Sequence, residues 1–147
     1  MDKITEHLWI SDAEKTRQLP DNHQFDEVVT LGYYDGLGLE CPEASTTGDE
    51  LTFLDGPHNY EKFAAAVDYV LEALEAGDTV LVHCQAGISR SGGVCSAALA
   101  IHKDLPGEQA LSIVQQARKK VYPESEIRAS MKRYIDEATA ESVAVKR

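Results

Sequence analysis

The spacing of apolar and polar residues changes several times along the chain, and each change marks an element. Ile4 to Ile10 alternates weakly between the two, the pattern of short, half-buried strands. Ser11 or Asp12 can cap a short helix that reaches about Leu19 and stops at Pro20-Asp21. Phe25 to Leu31 reads as a core strand ended by Gly32. Leu51 to Leu54 reads as another short strand running into Asp55-Gly56-Pro57. Between them, Tyr33 to Glu50 carries glycines, Pro42 and small polar residues and predicts an irregular connection.

The second half has stronger periodicity. Asn59 can cap a helix with Phe63, Val67, Val70, Leu71 and Leu74 on one face, closed by Gly77. Thr79 to His83 is a continuous apolar run, as in a strand buried on both faces. Val94 to Ile101 is apolar or small nearly all round and predicts a central buried helix. Pro106 suits the first position of a helix with Ala110, Leu111, Val114 and Ala117 inward. Ser125 can cap a last helix with Ile127, Met131, Tyr134 and Ile135 at helical spacing, and residues 141–147 read as a frayed tail. Strands first, then strand and helices in alternation, predict an α/β fold of three layers around a sheet.

Composition narrows the function classes. At 147 residues the chain fits one domain, with no repeat and no linker to divide it. The net charge of −11 opposes binding to nucleic-acid phosphates and anionic lipid unless a local basic pocket overrides it. No apolar run approaches the roughly 20 residues that span a bilayer, and the first residues lack a signal-peptide layout. The expectation is a cytoplasmic monomer that engages neither nucleic acid nor membrane. Three cysteines, Cys41, Cys84 and Cys95, argue for a reducing compartment rather than a disulfide scaffold. No C-x-x-C or H-x-x-x-H spacing suggests a zinc site, so neither metal nor cofactor is expected. The histidines His7, His23, His58, His83 and His102 are scattered, and most read as ordinary surface or packed residues.

The chemistry concentrates in Val82 to Gly92. A cysteine, Cys84, follows the buried strand, and Arg90 comes six positions later at the start of a helix. The loop between them, Gln85-Ala86-Gly87-Ile88-Ser89, can curl so that successive backbone N–H groups point at one spot, forming an anion-binding nest. Gly87 allows a turn closed to other residues. Such a nest grips the outer oxygens of a phosphoryl group and favours the thiolate, the nucleophilic form of cysteine. Arg90 offers a planar fork that matches two phosphate oxygens, which lysine could not.

The run His83-Cys84-Gln85-Ala86-Gly87-Ile88-Ser89-Arg90-Ser91 resembles the H-C-x-x-G-x-x-R-S/T signature of protein tyrosine and dual-specificity phosphatases, in the form carried by MAP-kinase phosphatases. Weaker similarity extends over Ile4 to Ile10, Phe25 to Leu31 and Ala110 to Pro123. The resemblance implies a three-layer protein-tyrosine-phosphatase-like domain, a central mixed sheet flanked by helices, over residues 1–140. It also implies phosphate binding by residues Gln85 to Arg90, nucleophilic attack by Cys84, and a phosphocysteine intermediate.

The family places a general acid roughly thirty residues before the cysteine. Asp55, 29 positions ahead, matches, with Asp49 as competitor and a purely structural turn aspartate as the plain alternative. Ser91 stands where the family uses a hydroxyl to stabilise the departing thiolate, although it could equally cap the helix. His83 is implied to support Cys84 from beneath the loop, or merely to fill core. Arg118 falls where many relatives carry a supporting arginine, and a solvated helix-end arginine fits as well. Glu124 departs from the family's Pro-Asn pair and puts support of the acid loop in doubt. Cys95 lies three helical turns beyond the loop, too far for an easy disulfide with Cys84. Whether Cys41 protects Cys84 is open.

The uncharged Gln85, Ala86 and Ile88 favour a singly phosphorylated substrate. With no long pocket-deepening segment, the implied activity covers phosphotyrosine, phosphoserine and phosphothreonine in a protein or peptide. A non-catalytic phospho-binding module and an RNA 5′-phosphatase are the rival readings.

Overall fold

The computed structural model describes residues 1–32 and 51–145. Within them, strands β1 (Asp2–Lys3), β2 (Leu8–Asp12), β3 (Glu27–Thr30) and β4 (Val80–Cys84) form one mixed sheet in the order β1-β2-β4-β3. β1 runs antiparallel to β2, while β2 and β3 flank β4 in parallel. The helices are α1 (Ala13–Arg17), α2 (Tyr60–Glu75), α3 (Arg90–His102), α4 (Gly107–Ala117) and α5 (Ser125–Val145).

β4 is buried along its whole length because it is central and covered on both faces. Its period of two divides the core. Val80, Val82 and Cys84 join Leu8, Ile10, Val29 and Leu31 in the main core under α2 to α5. Leu81 turns the other way to meet Val28 and Phe25, with Met1, Trp9 and Leu19 packed alongside. The register sets Cys84 beside Asp12, and His83 between Ser11 and Thr30. α3 is buried from Ser91 to Ala100 and packs against α2, α4, α5 and β4. The chemistry at its first turn therefore stands on the most enclosed of the described helices.

Local signals explain most boundaries. Asp12 caps α1, its Oδ1 accepting from Lys15 N at 2.8 Å, and Asn59 caps α2 through Glu61 N at 2.8 Å. Gly77 follows α2 with φ +85, the left-handed value that ends helices.

Four expectations need correction and a fifth falls outside view. Leu51 to Leu54 is not a strand. Phe53 N bonds Leu31 O at 3.0 Å, but the Phe53 carbonyl is taken by the Arg90 side chain, so no ladder propagates. Pro106 is the cap of α4 rather than its first residue, since its carbonyl accepts the bond from Ala110 N. Glu124 O accepts from Arg128 N, so Ser125 lies inside α5 instead of capping it. α5 also continues to Val145, through most of the segment read as a tail. The Tyr33 to Glu50 connection, with Cys41 and Asp49, lies outside the described residues.

Candidate active site

Cys84 is the last residue of β4 and Ser91 the second of α3, and their Sγ and Oγ atoms stand 3.2 Å apart, both buried. The six residues between them therefore form a closed loop, not an open connection. What turns the loop's backbone is visible in its carbonyls. Gln85 O accepts from Ala13 N at 3.1 Å, and Ile88 O from Tyr122 N at 2.9 Å. Between these, Ala86 O and Gly87 O accept from the Arg118 guanidinium, Nη2 at 3.0 Å and Nε at 2.8 Å. Four successive carbonyls are thus held by groups outside the loop. A trans peptide points its N–H opposite its carbonyl, so the amides of Ala86, Gly87, Ile88 and Ser89 face inward. Inward amides in succession have the geometry of a nest, and the outer ring of donors is what shapes it. Gly87 (φ +68) is required twice over. A side chain there would be strained, and its Cβ would stand 2.7 Å from Ser11 O and 2.9 Å from Arg118 Nε.

Arg118 is buried, not solvated at a helix end. Besides the two loop carbonyls it pairs with Asp2 at 2.8 Å and Asp12 at 3.2 Å. Burial raises the Asp12 carboxyl, but the Lys15 amide bond and the Arg118 guanidinium outweigh it and hold the carboxyl below the usual aspartate range. An anionic Asp12 therefore shares Arg118 with the loop and couples β2 to the nest.

Arg90 opens α3. Its Nη1 donates to Phe53 O at 2.9 Å, while Nε is buried without a partner among the described residues. Gly32 makes room for this side chain, because a Cβ there would lie 1.8 Å from Arg90 Nη1. A cavity of about 360 Å³ opens beside the guanidinium, with Lys62, His58 and Leu54 also on its walls. In a chain of net charge −11, the charged side chains that line this space among the described residues, Lys62 and Arg90, are both cationic.

His83 lies under the loop. Its Nε2 shares a 2.9 Å hydrogen bond with Thr30 Oγ1. Burial pushes its pKa down to about 4, only partly offset by the Cys84 backbone and by Asp12. It is a neutral, packed group at neutral pH. Ser89 Oγ accepts from Glu124 N at 2.8 Å, so Glu124 reaches the loop through its backbone. The Cys95 thiol is fully buried and pushed up by burial, which leaves it inert.

Asp55 sits exposed on the turn between Phe53 and α2, and among the described residues no hydrogen bond joins its carboxyl to the loop. The link between turn and loop is indirect, through the Phe53 carbonyl held by Arg90. One residue past the turn, His58 Nδ1 donates to Gly56 O at 2.6 Å, and Nε2 meets Ser130 Oγ at 2.7 Å. Its ring packs against Phe53 and Phe63, centroids 5.4 and 6.0 Å away, in a cluster where those two rings also meet at 5.7 Å. Reading the histidines as scattered missed this one. The available signal was its place in Asp55-Gly56-Pro57-His58-Asn59, a turn running straight into a helix cap. Gly32 was taken only as a strand terminator. Among the described residues, no group of three or more His, Cys, Asp or Glu is arranged to hold a metal ion. Nor is any helix among them long and apolar enough to cross a membrane.

Comparison with known proteins follows the same lines. The model of the dual specificity phosphatase catalytic domain matches residues 55–137. Dual specificity protein phosphatase 4 of Gallus gallus is 36% identical over 83 residues, which are 56% of this chain and 22% of that protein. The chain thus spans about a fifth of the length of such relatives. A putative tyrosine phosphatase, 123R, of Invertebrate iridescent virus 6 is 27% identical over 122 residues, 82% of each chain. Among solved structures, human DUSP28 superposes with a TM-score of 0.79 at 20% identity, covering 96% of this chain and 99% of that one. PTPMT1 in complex with PI(5)P gives 0.69 at 20% identity, covering 95% and 97%. At these identities the structures speak for the fold.

Proposed function

Since the chain belongs to the dual-specificity phosphatase family, we propose that it hydrolyses phosphate monoesters on tyrosine, and on serine and threonine, of a protein or peptide. The observation that carries this reading is the ring of four outward-held carbonyls, which turns four amides toward the space above Cys84. A phosphoryl group has three peripheral oxygens to occupy them. The Arg90 Nε–Nη2 edge, left over once Nη1 is bonded to Phe53, supplies a further pair of donors.

In the first step the Cys84 thiolate attacks phosphorus and forms an S–P bond as the P–O bond to the leaving group breaks. Asp55 gives that oxygen its proton. In the second step water attacks phosphorus and yields its proton to the Asp55 carboxylate. The sulfur leaves as thiolate, and the Ser91 hydroxyl, 3.2 Å away, donates to it. The inward amides act where negative charge spreads over the equatorial oxygens, and their fixed orientation avoids reorganisation during the reaction. His83 is neutral and takes no proton in either step; it supports the strand end from below.

Gln85, Ala86 and Ile88 bring no charge to the loop, which favours a single phosphate over a polyphosphorylated headgroup. The presence of Cys84, Arg90 and Asp55 together speaks against a non-catalytic binding module. The acidic surface speaks against an RNA end as substrate, and a cytoplasmic monomer remains the expectation. The test is hydrolysis of matched phosphotyrosine, phosphoserine and phosphothreonine peptides by wild type and Cys84→Ser. Turnover should vanish in the variant while peptide binding persists. Unchanged turnover would end the assignment.

A further inference from the structure

The turn that carries the proton donor has little to hold it. Among the described residues no backbone–backbone hydrogen bond involves residues 54–58, Gly56 takes φ +93, and Leu54 and Asp55 are exposed. Order must come from side chains. Arg90 fixes the entry at Phe53, and Asn59 fixes the exit as the cap of α2. In the middle, among the described residues, there is one side-chain tie, the bridge from Gly56 O through the His58 ring to Ser130 Oγ.

We propose that His58 is a positioning residue for the proton donor, clamping the Asp55 turn to helix α5. This rests on the reading of the chain as a phosphatase with Asp55 as its acid. The chemistry of the bridge is constrained at one end. A carbonyl only accepts, so Nδ1 carries a proton and donates to Gly56 O, while Nε2 shares a hydrogen bond with the Ser130 hydroxyl, which can give or accept it. The ring is gripped by Phe53 and Phe63, and Ser130 is buried at 7% exposure, so both ends are fixed. α5 packs on α3, the helix that begins at Arg90. The donor turn and the phosphate nest are thereby referred to one rigid frame, although the two are far apart in sequence. Proton transfer needs donor and leaving oxygen within about 2.6–3.2 Å, and a turn free to drift by about 1 Å can lose up to roughly 10²-fold in rate.

Two cuts test this. His58→Phe keeps an aromatic ring against Phe53 and Phe63 but cannot bridge, and Ser130→Ala removes the far anchor alone. Each is compared with wild type and Asp55→Asn on a phosphotyrosine peptide, whose leaving group needs a proton, and on p-nitrophenyl phosphate, whose leaving group does not. The expected result for both variants is a loss of about 10-fold or more in kcat on the peptide, within twofold of wild type on p-nitrophenyl phosphate. No further loss should appear when either is added to Asp55→Asn. Amide exchange at residues 54–59 should quicken in both. Equal losses on the two esters, or faster exchange with an unchanged leaving-group profile, would overturn the proposal, because the bridge would then serve stability alone. A wild type inert on both esters would instead remove the phosphatase reading itself, and this inference with it.

Discussion

Arg118 Nε donates a 2.8 Å hydrogen bond to the carbonyl of Gly87, across 31 residues of chain. That bond and its companion to Ala86 convert a cationic side chain into a device for turning amides inward, because each carbonyl held outside commits the next N–H to the inside. The arginine contacts the back of the nest, so its effect on phosphate is through backbone geometry.

Replacing Arg118 should therefore cost both fold and activity. Arg118→Ala leaves two loop carbonyls and two carboxylates without their partner, an expected loss of about 2–4 kcal/mol in denaturant unfolding. Arg118→Lys keeps the charge but cannot span two carbonyls and two carboxylates, so kcat should still fall about 10²-fold. Wild-type kcat in a folded Arg118→Lys would contradict this role.

Gly32→Ala offers a finer probe, since its Cβ would fall on Arg90 Nη1. Arg90 must then leave the Phe53 carbonyl, and the donor edge proposed to face phosphate turns with it. The expected outcome is a KM for phosphopeptide raised about 10-fold or more, the scale of one charge-assisted hydrogen bond. Inorganic phosphate should inhibit correspondingly less. An unaltered KM would mean that Arg90 has another way to reach the substrate.

Stability should depend on pH through His83. Unfolded, the imidazole takes a proton near 6.5, whereas in the fold burial delays protonation to about 4. Between those values the unfolded chain binds more protons, so stability falls as pH drops from about 6.5 to 4 and this contribution levels off below. The loss from pH 6.5 to pH 5 amounts to about 2 kcal/mol, and His83→Gln should flatten it in urea titrations at the two pH values. Asp12, whose carboxyl is held low, adds a separate decline once the pH falls below its ordinary value of 3.8.

Asp55→Asn should slow hydrolysis of phosphotyrosine and phosphothreonine peptides by about 10²–10⁴-fold and spare activated aryl phosphates. A silent Asp55→Asn beside an impaired Asp49→Asn would move the acid to the earlier aspartate.

How much of this was legible in the sequence depended on how local each cause is. The cap at Asn59, the stop at Gly77 and the buried β4–loop–α3 unit follow from neighbouring residues, so their limits were read closely. Arg118 was left between two readings because its partners Asp2 and Asp12 lie 116 and 106 residues away. The strand expected at Leu51 to Leu54 failed for a similar reason, a side chain 37 residues on taking the Phe53 carbonyl. His58 looked ordinary because Ser130, 72 residues distant, gives it purpose only in the fold.

The central claim is a covalent bond between Cys84 sulfur and phosphorus. Rapid acid quench of wild type and Ser91→Ala during turnover of a phosphotyrosine peptide, followed by mass spectrometry, reads that bond directly. A phosphoryl adduct mapped to Cys84, more abundant in Ser91→Ala because the second step is slowed, and absent from Cys84→Ser, is the predicted result. Continued turnover with no adduct in either enzyme, or an adduct on another residue, would contradict it.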